Sequence, residues 1–115
     1  MKNRIANAIV VMVLLATSDF SDAILAVVDL SFADLGEADL ASTDLRGANL
    51  KGANLTWADM RWADLTGACL QWSDLRNAQL DGAKVDGVTA EFASLGVAVS
   101  MAFVLKGKKS AEGKS

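Results

Sequence analysis

The sequence predicts an all-β solenoid followed by a C-terminal α-helix, and three observations predict it. An apolar residue recurs every five positions from Phe20 to Val85. Glycine gathers at one position of that five-residue unit, at Gly47, Gly52, Gly67, Gly82 and Gly87. Beyond Thr89 the stretch FASLGVAVSMAFVL over residues 92–105 is apolar all round a helical wheel.

The repeat occupies residues 18–88. Its fourteen centres are Phe20, eleven leucines, Met60 and Val85, with Ala two residues earlier in ten units and Asp or Asn one residue earlier in ten. A period of five fits neither regular element. On an α-helix, five steps of about 100° carry the leucines round every face. On a continuous strand, an odd spacing sends alternate leucines to opposite faces. Both conflicts vanish if the chain turns a corner once per unit. Ala and Leu, two apart, then point inward from a short extended segment. The other positions face outward, and glycine, with Asn77, falls where a corner favours positive φ.

The N-terminal segment, residues 1–17, joins the basic start MKNR to the apolar run IANAIVVMVLLA. It has the proportions of a secretory signal and is too short for an ordinary membrane span. Ile5, Val10 and Leu15 also keep the five-residue phase, so a cap over the open end or a degenerate extra coil accounts for it too. At the other end, Thr89 as N-cap and Glu91 in the first turn begin a helix over residues 89–105. Phe92, Leu95, Val99 and Phe103 share one face of that helix. They cover the solenoid end or meet a second copy if the helix is a cap or a dimer contact. The alternative is a membrane helix, since Val88 to Leu105 reaches about 18 residues, the lower limit for a span, with Lys106, Lys108 and Lys109 as its anchor. Residues 106–115 form a polar tail.

Composition excludes most chemistry. The 115 residues contain no His and one Cys. There is no histidine general base, no imidazole metal site, no Ser-His or Cys-His pair, no internal disulfide and no zinc cluster. No catalytic, cofactor-binding or metal-ligating set is assembled, so the chain reads as non-enzymatic and free of cofactors. Residues 18–89 hold twelve acids against Arg46, Lys51, Arg61, Arg76 and Lys84. The flanks are net basic. An acidic middle argues against direct nucleic-acid binding.

The tandem ADLGE-ADLAS-TDLRG-ANLKG-ANLTW-ADMRW-ADLTG-ACLQW resembles the pentapeptide-repeat protein family, over about residues 18–87. The resemblance implies a right-handed quadrilateral β-helix with four units per coil, often capped by a C-terminal helix that can dimerise. Some members of the family imitate DNA and bind a type II topoisomerase such as gyrase. With four sides, residues twenty apart stack into outward columns: Asp19–Asp39–Asp59–Gln79, Asp44–Asp64–Lys84, Asp29–Asn49–Cys69 and Asp34–Asn54–Asp74. Two of these place carboxylates over one another, at a Coulomb cost that nearby Arg46, Arg61 and Arg76 partly offset. Either the acids form a functional acidic face, or Asp and Asn satisfy turn amides and keep the rod soluble.

Trp57, Trp62 and Trp72 occupy corner positions, hence exposed ones, where tryptophan marks partner or membrane-interface contacts. A tryptophan lying flat over the corner backbone is the plainer alternative. Cys69 points outward as an inert surface thiol. The functional expectation is a protein-interaction scaffold whose partner surface comprises Trp57, Trp62, Trp72, Asp39, Asp44, Asp59 and Asp64, in the cytoplasm or at a membrane. A homodimer through the C-terminal helix and a membrane contact are its further expected associations. The alternative is the DNA mimic.

Overall fold

A computed structural model of the protein describes residues 15–96. Throughout this stretch the chain coils with a period of twenty. Parallel bridges join Asp19 to Asp39, Ile24 to Asp44, Asp29 to Asn49 and Asp34 to Asn54, and the pattern runs on to Asp74 with Ser94. A spacing of twenty is four five-residue units per turn, so the solenoid has four faces. The column of Asp39 lies on face one, that of Asp44 on face two, that of Asn49 on face three and that of Asn54 on face four.

Each unit is one short bridge and one turn. The turn closes when the N–H of the residue three beyond the centre donates to the centre's carbonyl, as Ala48 does to Leu45 at 3.0 Å. Its third residue has φ between +54° and +75° at every corner, whatever the side chain: Val27, Phe32, Trp57, Trp62, Trp72 and Gly67 alike. Between coils, the centre N–H bonds forward, as Leu45 to Asp64 at 2.8 Å, and the N–H before it bonds backward, as Asp44 to Ala23 at 2.9 Å. The backbone polar groups are thus satisfied by stacking of one coil on the next.

The interior is the pair of positions the periodicity singled out. Leu35, Leu40, Leu45, Leu50, Leu55, Met60, Leu65, Leu70 and Leu75 are fully buried, and Ala38, Ala48, Ala53, Ala58, Ala63 and Ala68 fill the space between them. Thr43 and Ser73 place a buried hydroxyl where most units have Ala. Thr43 Oγ1 donates to the carbonyl of Phe20 at 2.9 Å and Ser73 Oγ to that of Leu70 at 2.7 Å, so neither is a buried unsatisfied group.

Two boundaries differ from the expectation. At the N-terminal side the coil already includes Leu15, Ala16 and Thr17, with Leu15 N donating to Asp34 O at 2.7 Å and Thr17 N to Gly36 O at 2.8 Å. At the C-terminal side no helix begins at Thr89. Thr89 bridges Cys69, Ser94 bridges Asp74, and Leu70, Trp72 and Leu75 donate to the carbonyls of Thr89, Glu91 and Ser94. Ala90 and Leu95 are two more centres, so Phe92 is a corner residue at φ +64° and Leu95 points inward, half-buried. The two do not share a helix face. The physical reason is that the open edge of a coil offers ladder bonds to each arriving unit, whereas a helix first incurs a nucleation cost. Gly96 takes φ +74° one position before the usual corner, so at this residue the unit departs from the others. Val99 and Phe103, with residues 1–14 and 97–115, lie outside the described residues, as do most of the expected anchor and dimer helix. Among the described residues no helix is long and apolar enough to cross a membrane.

Candidate interaction surface

The outward positions are of two kinds, the residue before each centre and the corner. Ten Asp and Asn side chains before the centres accept the backbone N–H two residues on, for example Asp39 Oδ1 from Ala41 at 3.0 Å and Asn49 Oδ1 from Lys51 at 3.0 Å. This turn amide is the structural duty of the acid, and Asn performs it as well. Hydrogen bonds from Ser21, Ser31, Arg61, Thr66 and Arg76 hold the Asp19, Asp29, Asp59, Asp64 and Asp74 carboxyls below their ordinary value. Three arginines fold onto acids of their own units: Arg46 on Asp44, Arg61 on Asp59 and Arg76 on Asp74, each through Nε and Nη2 at 2.6–2.9 Å.

The four expected acids therefore fall into two unequal pairs. Asp44 and Asp64 on face two are bounded by Arg46 and Lys84, whose charges help hold the Asp64 carboxyl low after its Thr66 hydrogen bond and turn amide. Asp39 and Asp59 lie on face one, beside Arg61. Face one with its two bounding edges carries Asp19, Asp22, Glu37, Asp39, Asp59 and Asp81 against Arg61 and, in the Trp57 corner beside Asn77, Arg76. The rest of the described solenoid carries seven acids against three bases. The charge of the solenoid is concentrated on one side.

The tryptophans sit at corners, where expected. Trp57, Trp62 and Trp72 remain 61%, 68% and 58% exposed. Two of them also lie against the next coil. A Cβ built on Gly82 would collide with Cε3 and Cζ3 of the Trp62 ring, and one on Gly52 would come 2.5 Å from Phe32 Cε1. Trp72 stacks on Phe92 with centroids 4.4 Å apart and planes 15° apart. The Trp62 ring is thus used in part by the fold at Gly82 and the Trp72 ring at Phe92, while most of the surface of all three tryptophans is exposed. Trp57 and Trp62 bound face one in the same coil. Trp72 lies one edge further round, beyond face four. The fourth edge is Val27, Gly47, Gly67 and Gly87 and carries no ring. Cys69 is half-buried on face three, with Sγ 3.8 Å from Gln71 Oε1. Among the described residues no group of three or more His, Cys, Asp or Glu is placed to hold a metal.

A family model described as pentapeptide repeats, in eight copies, matches residues 29–67 and 53–89. The chain belongs to the pentapeptide-repeat family. Among solved structures, a pentapeptide-repeat protein of the Arabidopsis thaliana thylakoid lumen is 32% identical with a TM-score of 0.51, over 69% of this chain and 59% of its own. The pentapeptide-repeat protein Rfr23 of the cyanobacterium Cyanothece 51142 is 31% identical with a TM-score of 0.48, over 80% of this chain and 63% of its own. QnrB1, a plasmid-mediated fluoroquinolone resistance protein, is 16% identical with a TM-score of 0.38, over 79% of this chain and 64% of its own. This pentapeptide-repeat chain thus spans about three-fifths of the length of these relatives. No curated protein matches it. The family is a repeat architecture and indicates no enzymatic class.

Sequence reasoning missed Phe32, Phe92 as a corner ring, Glu37 and Asp81 as surface features. The signal was present, because numbering modulo twenty sorts every outward residue to a face or an edge. Glu37 and Asp81 stand in the turns, outside the columns formed by the residues before the centres.

Proposed function

We propose that this pentapeptide-repeat solenoid is a non-enzymatic protein-interaction scaffold that holds exposed tryptophans and acids in fixed register for a protein partner. The observation that carries the reading is the exposure of Trp57 and Trp62 at corners whose backbone suits glycine. A non-glycine residue at positive φ costs about 1 kcal/mol, and the glycine edge has the same backbone without that cost. Packing on Gly82 uses part of the Trp62 ring, and both rings keep the larger part of their surface in water, where large aromatic surface favours partners.

A photo-cross-linking residue placed at position 62 should give protein adducts in cells, and one at position 67 on the glycine edge should give none. Absence of adducts at positions 57, 62, 72 and 67 alike would refute the scaffold. The alternative, a DNA mimic that binds a type II topoisomerase, draws on the acidic face. Its phosphate-like lines are short here, ending at Gln79 on face one and Lys84 on face two. Gyrase supercoiling should proceed undiminished at micromolar protein, and clear inhibition would put the mimic first.

A further inference from the structure

Face one combines the largest acid excess with a tryptophan at each of its two edges in the same coil. Face four also has rings at both edges, Trp57 on one and Phe32, Trp72 and Phe92 on the other, but its column carries only Asp34 and Asp74 against Arg76. We infer that face one is the docking face, and that it takes a basic segment of a partner protein, with arginine or lysine side chains seated between Trp57 and Trp62. This rests on the scaffold reading and adds the face and the chemistry of the partner.

The geometry is that of one flat side of the coil. Trp57 and Trp62 stand at its two corners, separated by three extended residues, or about 10 Å. Between them lies Asp59, with Asp39 in the coil before and Gln79 in the coil after. Arg61 pairs with Asp59 through Nε and Nη2 at 2.8 and 2.7 Å, and Asp39 and Asp81 lie close enough to raise its pKa further, so the acid excess of this strip rests on Glu37, Asp39 and Asp81. Glu37 on the Trp57 edge and Asp81 beside the Trp62 edge are exposed.

A guanidinium or ammonium group entering here finds these carboxylates with an exposed indole at each of the two corners. Tryptophan is the ring that attracts cations most strongly, and the surrounding acids steer them in. The same charge disfavours the other candidate occupants. Nucleic acid and anionic lipid are repelled, and an acidic peptide is excluded. The glycine edge, with no ring, offers a cation nothing comparable.

The test uses the full-length protein and a fluorescein-labelled (Arg-Gly)5 peptide, read by anisotropy and by quenching of tryptophan fluorescence. Replacing Glu37→Gln, Asp39→Asn and Asp81→Asn together should weaken binding about tenfold. Asn at position 39 keeps the turn bond, as Asn49 and Asn54 already do. The matched triple on face two, Asp44→Asn, Asp64→Asn and Asp86→Asn, removes the same charge and should change binding less than about twofold. Trp57→Gly with Trp62→Gly should weaken it about fivefold. An (Glu-Gly)5 peptide should not bind.

Equal weakening by the two triples would overturn the inference, because overall charge rather than face one would then be responsible. Unchanged binding in the tryptophan double variant would overturn it as well, as would failure of the peptide to bind the wild type. Each variant is first shown to melt like the wild type. Adducts at position 62 that persist in cells despite the face-one triple would leave the scaffold standing and remove only this assignment.

Discussion

The glycine edge and the Trp62 edge run along the same solenoid with the same backbone. On the first, Val27 is followed by Gly47, Gly67 and Gly87, with φ from +54° to +72°. On the second, Asp22, Ser42, Trp62 and Gly82 span +58° to +75°. Conformation at a corner is therefore imposed by the coil and not chosen by the residue that occupies it. The inward leucines and the inter-coil bonds, as from Leu45 N to Asp64 O and Gly47 N to Thr66 O, hold both edges equally. What differs is only the outward surface, so a ring at a corner reports on the surroundings of the rod more than on its folding.

The comparison breaks most completely if its shared cause is removed. Leu55 is fully buried, and Leu55→Asp would place an unpaired charge among leucines at a cost comparable to the whole stability of a small domain. Circular dichroism should show an unfolded chain, and a cooperative β-type melt would mean that position 55 does not point inward. The milder Leu55→Ala should still fold, destabilised by about 3–4 kcal/mol in urea.

Next in size is a substitution that separates the edges. Gly67→Ala meets only Gly47 N at 4.0 Å, so it should cost the backbone strain alone, about 1 kcal/mol. Gly82→Ala adds a collision with the Trp62 ring and should cost about 2–3 kcal/mol. In a Trp62→Gly background the two alanine variants should become equal in thermal denaturation. A persistent difference there would show that the ring does not lie over Gly82.

A smaller effect is expected for Trp57→Gly. Relief of backbone strain and loss of ring packing oppose one another, and the net change should lie within about 1 kcal/mol of zero. A loss of 3 kcal/mol or more, on the scale of truncating a core ring, would make Trp57 a structural residue and weaken the scaffold reading.

The smallest effect is on pH. The Asp59, Asp64 and Asp74 carboxyls, ordinarily at 3.8, are lowered first by side-chain hydrogen bonds from Arg61, Thr66 and Arg76. A folded value below the unfolded one means stabilisation that is present above about pH 4 and lost as pH falls through the lower folded values. The melting temperature should be level from pH 8 to 5 and decline below about 4. Stability rising steadily on acidification from pH 7 would show that repulsion among the face-one acids outweighs these bonds.

Much of this was legible because the repeat is strict. Inward positions followed from Ala and Leu two apart, and corners from the glycines. The bond of each Asp or Asn to its turn amide followed from the residue type. The C-terminal boundary was not legible. Ala90 in place of leucine and the apolar run after it hid the unit's phase, and helix signals at Thr89 and Glu91 filled the gap. The difference between the two acid pairs was not legible either, because it depends on turn residues such as Glu37 and Asp81 and on where Arg46 and Lys84 reach.

By itself the sequence determined the solenoid, its Leu/Ala interior, the corner position and the absence of a histidine- or disulfide-based chemistry, because these depend on residue type and a period of five. Only the tertiary structure decided that Leu15 to Thr17 and Thr89 to Leu95 are carried in the coil. It also decided that Trp62 lies on Gly82, and that Trp57 and Trp62 flank the one strongly acidic face. Those facts depend on which residues twenty apart come to stack. A ladder at the coil's edge can carry even an irregular unit such as Val88 to Phe92 into register, which no local propensity announces.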